Sequence, residues 1–134
     1  MTLLELLYNK PEDILHDAVT SLDKAKLPHL GNFRGSELNK KIKLLLQAVT
    51  VCTEKNSCGE LTAYMDQISN ESFNLGSEPA EVQTMLNILE ETIWNHICRF
   101  VDNDKQNSAM KLIGNIFCRA KQALIDEYAM LERT

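Results

Sequence analysis

The stretch that most constrains this chain covers residues 77–101, because it predicts one helix that is too apolar to lie on a surface. At about 100° per residue, most of its apolar side chains gather on one face. That face carries Val82, Leu86, Leu89, Ile93, Ile97 and Phe100. Trp94, Cys98 and Val101 add a second apolar stripe beside it. A helix this widely apolar is usually covered on two sides, by its own domain or also by a partner chain. The stretch therefore predicts an all-α domain built around a buried central helix.

The apolar spacing predicts helices along the rest of the chain as well, and no stretch of useful length alternates as a strand does. The further helices are a short one before Pro11, one opening at Pro11, and others over residues 36–55, 60–73 and 108–132. Gly76 is expected to end the fourth helix in a left-handed conformation. The connection over residues 26–35 is broken by one proline and two glycines, and Leu27, Leu30 and Phe33 are its expected anchors.

Length and composition indicate one soluble globular domain, with 134 residues of which 44% are apolar and 25% charged. A formal net charge of −5 argues against nucleic acids and anionic membranes as partners, because both attract basic surfaces. No apolar run approaches the roughly 20 residues of a membrane span, and the apolar N-terminus carries Glu5 without a positive start. We therefore predict a single cytoplasmic domain over residues 1–134, either whole or as the N-terminal part of a longer signalling protein.

The four cysteines, Cys52, Cys58, Cys98 and Cys118, lack the two-residue spacing of zinc or redox pairs. Three of them lie at or beside apolar helical positions, where a free cysteine behaves as a small hydrophobe. The sequence thus predicts four reduced thiols, with Cys58 the most exposed.

The three histidines, His16, His29 and His96, fall on three separate elements. None of them lies four residues from a second histidine or within a Glu-x-x-His pair, as a metal site in a helical bundle requires, so no metal site is predicted. His96 borders the apolar face of the central helix, where it would ligate a haem iron or contact another small molecule. A partly buried, hydrogen-bonded histidine is the other interpretation of His96.

No arrangement of side chains indicates an enzyme. Cys98 follows His96 by two residues, which turns the two side chains about 200° apart on a helix, so they cannot act together as thiol and base. Adjacent Glu90 and Glu91 point in different directions, and the chain has no glycine-rich phosphate loop. We therefore expect no catalysis and no cofactor.

The order of several segments resembles a known family. These segments are Ser36-Glu-Leu-Asn-Lys-Lys-Ile, the Leu-Leu-Gln-Ala-Val of the third helix, Ile68-Ser69, Gly76-Ser-Glu-Pro-Ala-Glu-Val, the leucine-rich helix after it, and the helix containing Tyr128. Together they resemble the N-terminal sensor domain of the Rsb-type stressosome co-antagonist regulators. The resemblance covers about residues 4–131, and the segment over residues 76–82 is its most specific part.

The resemblance implies a globin-like bundle of about five to six helices that has lost haem and has two long, antiparallel final helices. It also implies a homodimer formed through those two helices, and a signal passed to an output module such as a STAS or histidine-kinase domain. Two flanks remain alternative interfaces, one with Trp94, Cys98 and Val101 and the other near Met85 and Ile88. Phe117 and Leu124 are the expected contributors from the last helix. A non-catalytic sensory domain is therefore expected, with a haem-binding or ligand-binding sensor using His96 as the alternative.

Overall fold

The computed structural model describes residues 1–25, 27 and 35–133, except for the side chains of Gly35 and Ser36. Its α-helices are α1 (Leu3–Asn9), α2 (Pro11–Ala25), α3 (Gly35–Lys55), α4 (Gly59–Asn74), α5 (Pro79–Phe100) and α6 (Gln106–Glu132), with a short 3-10 helix (Asn103–Lys105) before α6. Every regular element in these ranges is helical, which confirms the predicted all-α class. None of these helices is long and apolar enough to cross a membrane.

The ends of the helices follow from local residues. The Thr2 hydroxyl accepts a hydrogen bond from the Glu5 amide at 3.2 Å, and the Glu5 carboxylate accepts one from the Thr2 amide at 3.0 Å, which caps α1. Pro11 and Pro79 open α2 and α5, since the fixed φ of proline suits a first helical turn. Gly76 has a φ of 80°, so the left-handed stop predicted after α4 is confirmed.

Helix α5 is the buried centre of the fold and packs most extensively against α6 and α2. Its side chains without exposed surface are Val82, Met85, Leu86, Leu89, Ile93 and Ile97. The second apolar stripe has a different environment: Val101 is buried, but Trp94 is 38% exposed and Cys98 is exposed. The predicted central helix is therefore present, and one chain covers only part of its apolar surface.

Hydrogen bonds connect the late part of α6 to the residues before α5, and the start of α6 to the residue after α5. Tyr128, late in α6, donates a 2.9 Å hydrogen bond to the carbonyl of Ser77, just before α5. Gln106, at the start of α6, donates one of 3.0 Å to the carbonyl of Val101, just after α5. Between these ends, Lys121 of α6 forms a 3.1 Å ion pair with Glu90 of α5. These contacts fix α6 along much of the length of α5.

The connection between α2 and α3 lies mostly outside the described residues. Its expected anchors Leu30 and Phe33 fall in that part, as does His29. Leu27 is described, and its half-buried side chain packs against the core as predicted.

Candidate functional site

An open groove of about 840 Å³ runs across helix α3. Helices α1 and α2 form one wall, α4 forms the other, and α3 forms the floor. Its main apolar side chains are Leu7, Tyr8, Leu15, Leu44, Val51 and Tyr64. A groove of this size is within the range of small-molecule sites, about 300–1,000 Å³.

The groove exists because α3 has apolar residues on more than one face. Leu45 and Val49 have no exposed surface and point into the core. Leu44 adjoins Leu45 in the sequence but points about 100° away around the helix. It is 40% exposed and lines the groove. The run of three leucines at positions 44–46 is the sequence signal for this surface, because consecutive residues cannot share one helical face.

Several polar groups of the groove are available to a ligand. Within the described residues, the side chains of Glu12, Lys43, Gln47 and Glu60 have no intramolecular hydrogen bond or ion pair. All four line the groove, so they place an ammonium, an amide and two carboxylates beside an apolar surface. This combination of an apolar lining and a few polar groups is typical of binding sites for small molecules.

Tyr64 holds the α4 wall against the floor. Its hydroxyl donates a 2.9 Å hydrogen bond to the backbone carbonyl of Lys41. Burial, and to a smaller extent the charge of Glu71, raises the pKa of this hydroxyl well above its ordinary value. Tyr64 therefore remains a neutral donor at physiological pH. On the opposite wall, the Tyr8 hydroxyl donates to the carboxylate of Glu54 at the end of α3.

A second concave region of about 550 Å³ adjoins the groove and shares Leu44 and Gln67 with it. Lys41 and Glu71 form an ion pair at its edge. Burial by itself would raise the pKa of Glu71, but hydrogen bonds from Lys41 and Gln67 outweigh burial and lower it. Because the folded chain lowers this pKa, the stabilising contribution of Glu71 is present above the unfolded pKa and is lost as the pH falls through the folded pKa.

Next to the groove residues Val51 and Glu60, a disulfide bond joins Cys52 and Cys58, whose Cα atoms are 4.8 Å apart. Asn56 lies between them with a φ of 53°, a left-handed conformation that ends α3 and reverses the chain. The prediction of four free thiols with Cys58 most exposed is therefore wrong for this structure. Cys98 and Cys118 are the free and exposed cysteines. Sequence spacing missed the pair because a helix end and a short turn, rather than a two-residue motif, bring the sulfur atoms together.

His96 is buried, with 3% of its surface exposed, as the second interpretation of this residue expected. Its Nε2 atom lies 2.8 Å from a carboxylate oxygen of Asp17, and its ring stacks on Phe100 at a centroid distance of 5.8 Å. Its Nδ1 atom is buried and has no hydrogen-bond partner within the part of the chain that the structure describes. A haem iron would therefore have to displace Asp17 or the surrounding core to reach either ring nitrogen. A small polar cavity of about 290 Å³ adjoins this pair.

The candidate dimer-interface residues are not brought together on one surface. Four of them have at most 4% of their surface exposed and pack in the core of the single chain: Met85, Val101, Phe117 and Leu124. Ile88 is half-buried, whereas Trp94 and Cys98 are exposed on α5. An interface that preserves this fold would therefore use either Trp94 with Cys98 or the exposed edge of Ile88.

Among the residues that the structure describes, no group of three histidine, cysteine or carboxylate side chains is placed to hold a metal ion. Comparisons of the chain with protein-family models, curated proteins and solved structures found no match. The resemblance to stressosome sensor domains thus stays a prediction from segment order. The groove, the pair formed by buried His96 and exposed Asp17, and the exposed Trp94 are the features that bear on function.

Proposed function

We propose that this chain is a non-catalytic sensory or regulatory domain whose groove across α3 binds a small, largely apolar ligand carrying a polar group. The observation that carries the proposal is the combination of an apolar groove of about 840 Å³ with four polar side chains on its lining that have no partner among the described residues. The ammonium of Lys43 suits an anionic group on the ligand. Glu12 and Glu60 suit a hydrogen-bond donor or a cation.

Ligand binding at this position has a direct structural consequence. The groove is lined by α1, α2, α3 and α4, and α4 packs against α6 as well as α3. A ligand that draws α4 toward α2 would therefore displace α4 against α6, which in turn packs on α5. This is a route from the groove to the last two helices.

The groove is tested by fluorescence titration of the full chain with 1-anilinonaphthalene-8-sulfonate, a probe with an apolar ring system and one anionic group. We expect saturable binding of one probe per chain. Leu44→Glu should weaken binding at least tenfold, because it places a carboxylate on the apolar floor and repels the sulfonate. Lys43→Gln should weaken it several-fold, because it removes an ammonium group that lines the groove.

The matched control is Ile125→Glu, which adds the same charge to an apolar residue that is 51% exposed on α6, outside the groove lining. It should leave the dissociation constant for the probe within a factor of two of the starting value. Equal affinity of both groove variants and the unsubstituted chain would refute the site, as would a loss of binding confined to Ile125→Glu.

We further propose that the chain has a globin-like arrangement with antiparallel final helices, forms a homodimer through them, and relays its signal to an output module. The support for antiparallel helices is the pairing of Ser77 with Tyr128 and of Val101 with Gln106. The support for a dimer is the exposed Trp94, since large exposed aromatic residues are enriched at protein interfaces. The alternative haem sensor has less support, because Asp17 already contacts the Nε2 atom of His96.

The dimer is tested by sedimentation equilibrium over a dilution series to low micromolar concentration. We expect the chain to dimerise and Trp94→Glu to raise the dimer dissociation constant at least tenfold, because a buried aromatic residue is a common hot spot. Leu75→Glu is the control, since Leu75 is 41% exposed and lies outside α5 and α6. A monomer at every concentration would disprove the dimer, and a dimer unaffected by Trp94→Glu would disprove this interface.

A further inference from the structure

The bond between Cys52 and Cys58 joins two helices at the point where they line the groove. Cys52 lies in the last turn of α3, and Cys58 is the residue immediately before α4. Val51 precedes Cys52 and Glu60 follows Cys58 by two residues, and both side chains line the groove. The bond therefore fixes the distance between the floor and the α4 wall at one end of the groove.

We propose that Cys52 and Cys58 form a thiol–disulfide switch that sets the affinity of the α3 groove, with low-molecular-weight thiols and disulfides of the glutathione type as its reaction partners. The inference rests on the proposed function, because it takes the groove as the ligand site. In a cytoplasm, the location that the sequence predicts, such pairs are typically redox-sensing rather than permanent.

The two cysteines have different environments, so they have different roles in thiol–disulfide exchange. Cys52 is 3% exposed, whereas Cys58 is half-buried, so Cys58 is the more accessible of the two to a thiol in solvent. Cys58 also occupies the N-cap of α4 and makes no side-chain capping hydrogen bond there. In the reduced chain, unpaired amide groups of the first turn would stabilise a thiolate at this position. Cys58 is therefore the reactive sulfur and Cys52 the resolving one.

The reaction with glutathione disulfide proceeds in two balanced steps. The Cys58 thiolate attacks one sulfur of glutathione disulfide, forms a mixed disulfide and releases one glutathione thiolate. The Cys52 thiol then loses its proton and attacks the Cys58 sulfur, which forms the Cys52–Cys58 bond and releases the second glutathione thiolate. Two protein thiols are oxidised and one glutathione disulfide is reduced to two thiols, which take up the two protons. Excess glutathione reverses both steps.

Breaking the bond should loosen the start of α4. The amide of Thr62 donates a 2.9 Å hydrogen bond to the carbonyl of Cys58, and no side chain caps this end of the helix. In the reduced chain, α4 is still connected to α3 at Tyr64, whose hydroxyl donates a hydrogen bond to the carbonyl of Lys41. Glu60 and Ala63 both line the groove near this end, so a mobile first turn of α4 opens it. We therefore expect weaker ligand binding in the reduced state.

The chemistry is tested on the full chain carrying Cys98→Ser and Cys118→Ser, so that only the proposed pair can react. The chain is equilibrated with glutathione and glutathione disulfide at several ratios, quenched with acid, and labelled with a maleimide mass tag. Intact mass spectrometry should show two tags under reducing conditions and none under oxidising conditions. Two tags at every ratio, including pure glutathione disulfide, would overturn the switch.

The coupling is tested on the same variant in its oxidised and reduced forms. We expect reduction to weaken binding of 1-anilinonaphthalene-8-sulfonate three- to tenfold, and to speed amide hydrogen exchange over residues 62–65 at least tenfold. A chain that also carries Cys52→Ala and Cys58→Ala should show the probe affinity and the amide exchange rates of the reduced form, with or without reductant. Equal affinity and equal exchange in the two forms would overturn the switch but leave the proposed function standing. No probe binding to either form would overturn the proposed function, and with it the coupling, even if exchange at α4 still responded to reduction.

Discussion

Replacing Phe117 with alanine should lower the free energy of unfolding by about 3–5 kcal/mol, the largest effect that we expect from a single substitution in this chain. Phe117 lies in the middle of α6 and has no exposed surface. Its removal would lose the transfer free energy of the ring and leave a cavity that neighbouring side chains fill only in part. Domains of this size are stable by about 5–15 kcal/mol, so the change would remove a large part of the total.

The measurement is equilibrium unfolding in urea followed by circular dichroism. At a typical slope of about 2 kcal/mol per molar urea, the midpoint of Phe117→Ala should fall by about 2 M with little change in slope. Ile125→Ala is the matched control, because Ile125 lies on the same helix and is 51% exposed. Its free energy of unfolding should change by less than about 0.5 kcal/mol. Similar effects of the two substitutions would contradict the placement of Phe117 in the core.

The same experiment separates a core role for Phe117 from the interface role that the sequence suggested. If Phe117 packs within one chain, the loss of stability on substitution should be the same at every protein concentration. If Phe117 stabilised a dimer instead, its contribution would grow with protein concentration, because association stabilises the folded chain by mass action. A concentration-dependent difference between the unsubstituted chain and Phe117→Ala would therefore restore the interface role.

Reducing the bond between Cys52 and Cys58 should lower the free energy of unfolding by about 2 kcal/mol, because the unfolded chain regains the freedom of a short loop. The two residues are separated by six positions, so the closed loop is small and its entropic contribution lies at the low end for disulfides. The measurement compares urea unfolding of the Cys98→Ser, Cys118→Ser chain with and without dithiothreitol.

The control for this second prediction is the chain that also carries Cys52→Ala and Cys58→Ala. Its unfolding midpoint should lie near that of the reduced chain and should not respond to dithiothreitol. A midpoint that dithiothreitol leaves unchanged in the chain that retains both cysteines would show that the bond does not constrain the unfolded state. The stability measurement is independent of ligand binding, so it tests the bond even if the groove has no ligand.

The sequence by itself determined the helical class, the central position of α5 and most helix positions. Helical periodicity was sufficient here because Val82, Leu86, Leu89, Ile93 and Ile97 repeat at spacings of three and four over about four turns. The predicted stretch began at residue 77, whereas α5 begins at Pro79, because a capping box between Glu78 and Glu81 sets its first turn. Such local geometry shifts a helix end by one or two residues without changing the apolar pattern.

The tertiary structure alone decided which apolar residues are covered by the chain's own helices and which remain exposed. Met85 and Trp94 both belong to α5, yet the packing of the chain buries Met85 completely and leaves Trp94 38% exposed. The groove across α3 and the pairing of Cys52 with Cys58 were likewise decided by how α3 and α4 pack. Periodicity gives the direction of each side chain around its own helix. It does not give the positions of neighbouring helices, and those positions determine burial, grooves and the distance between two sulfur atoms.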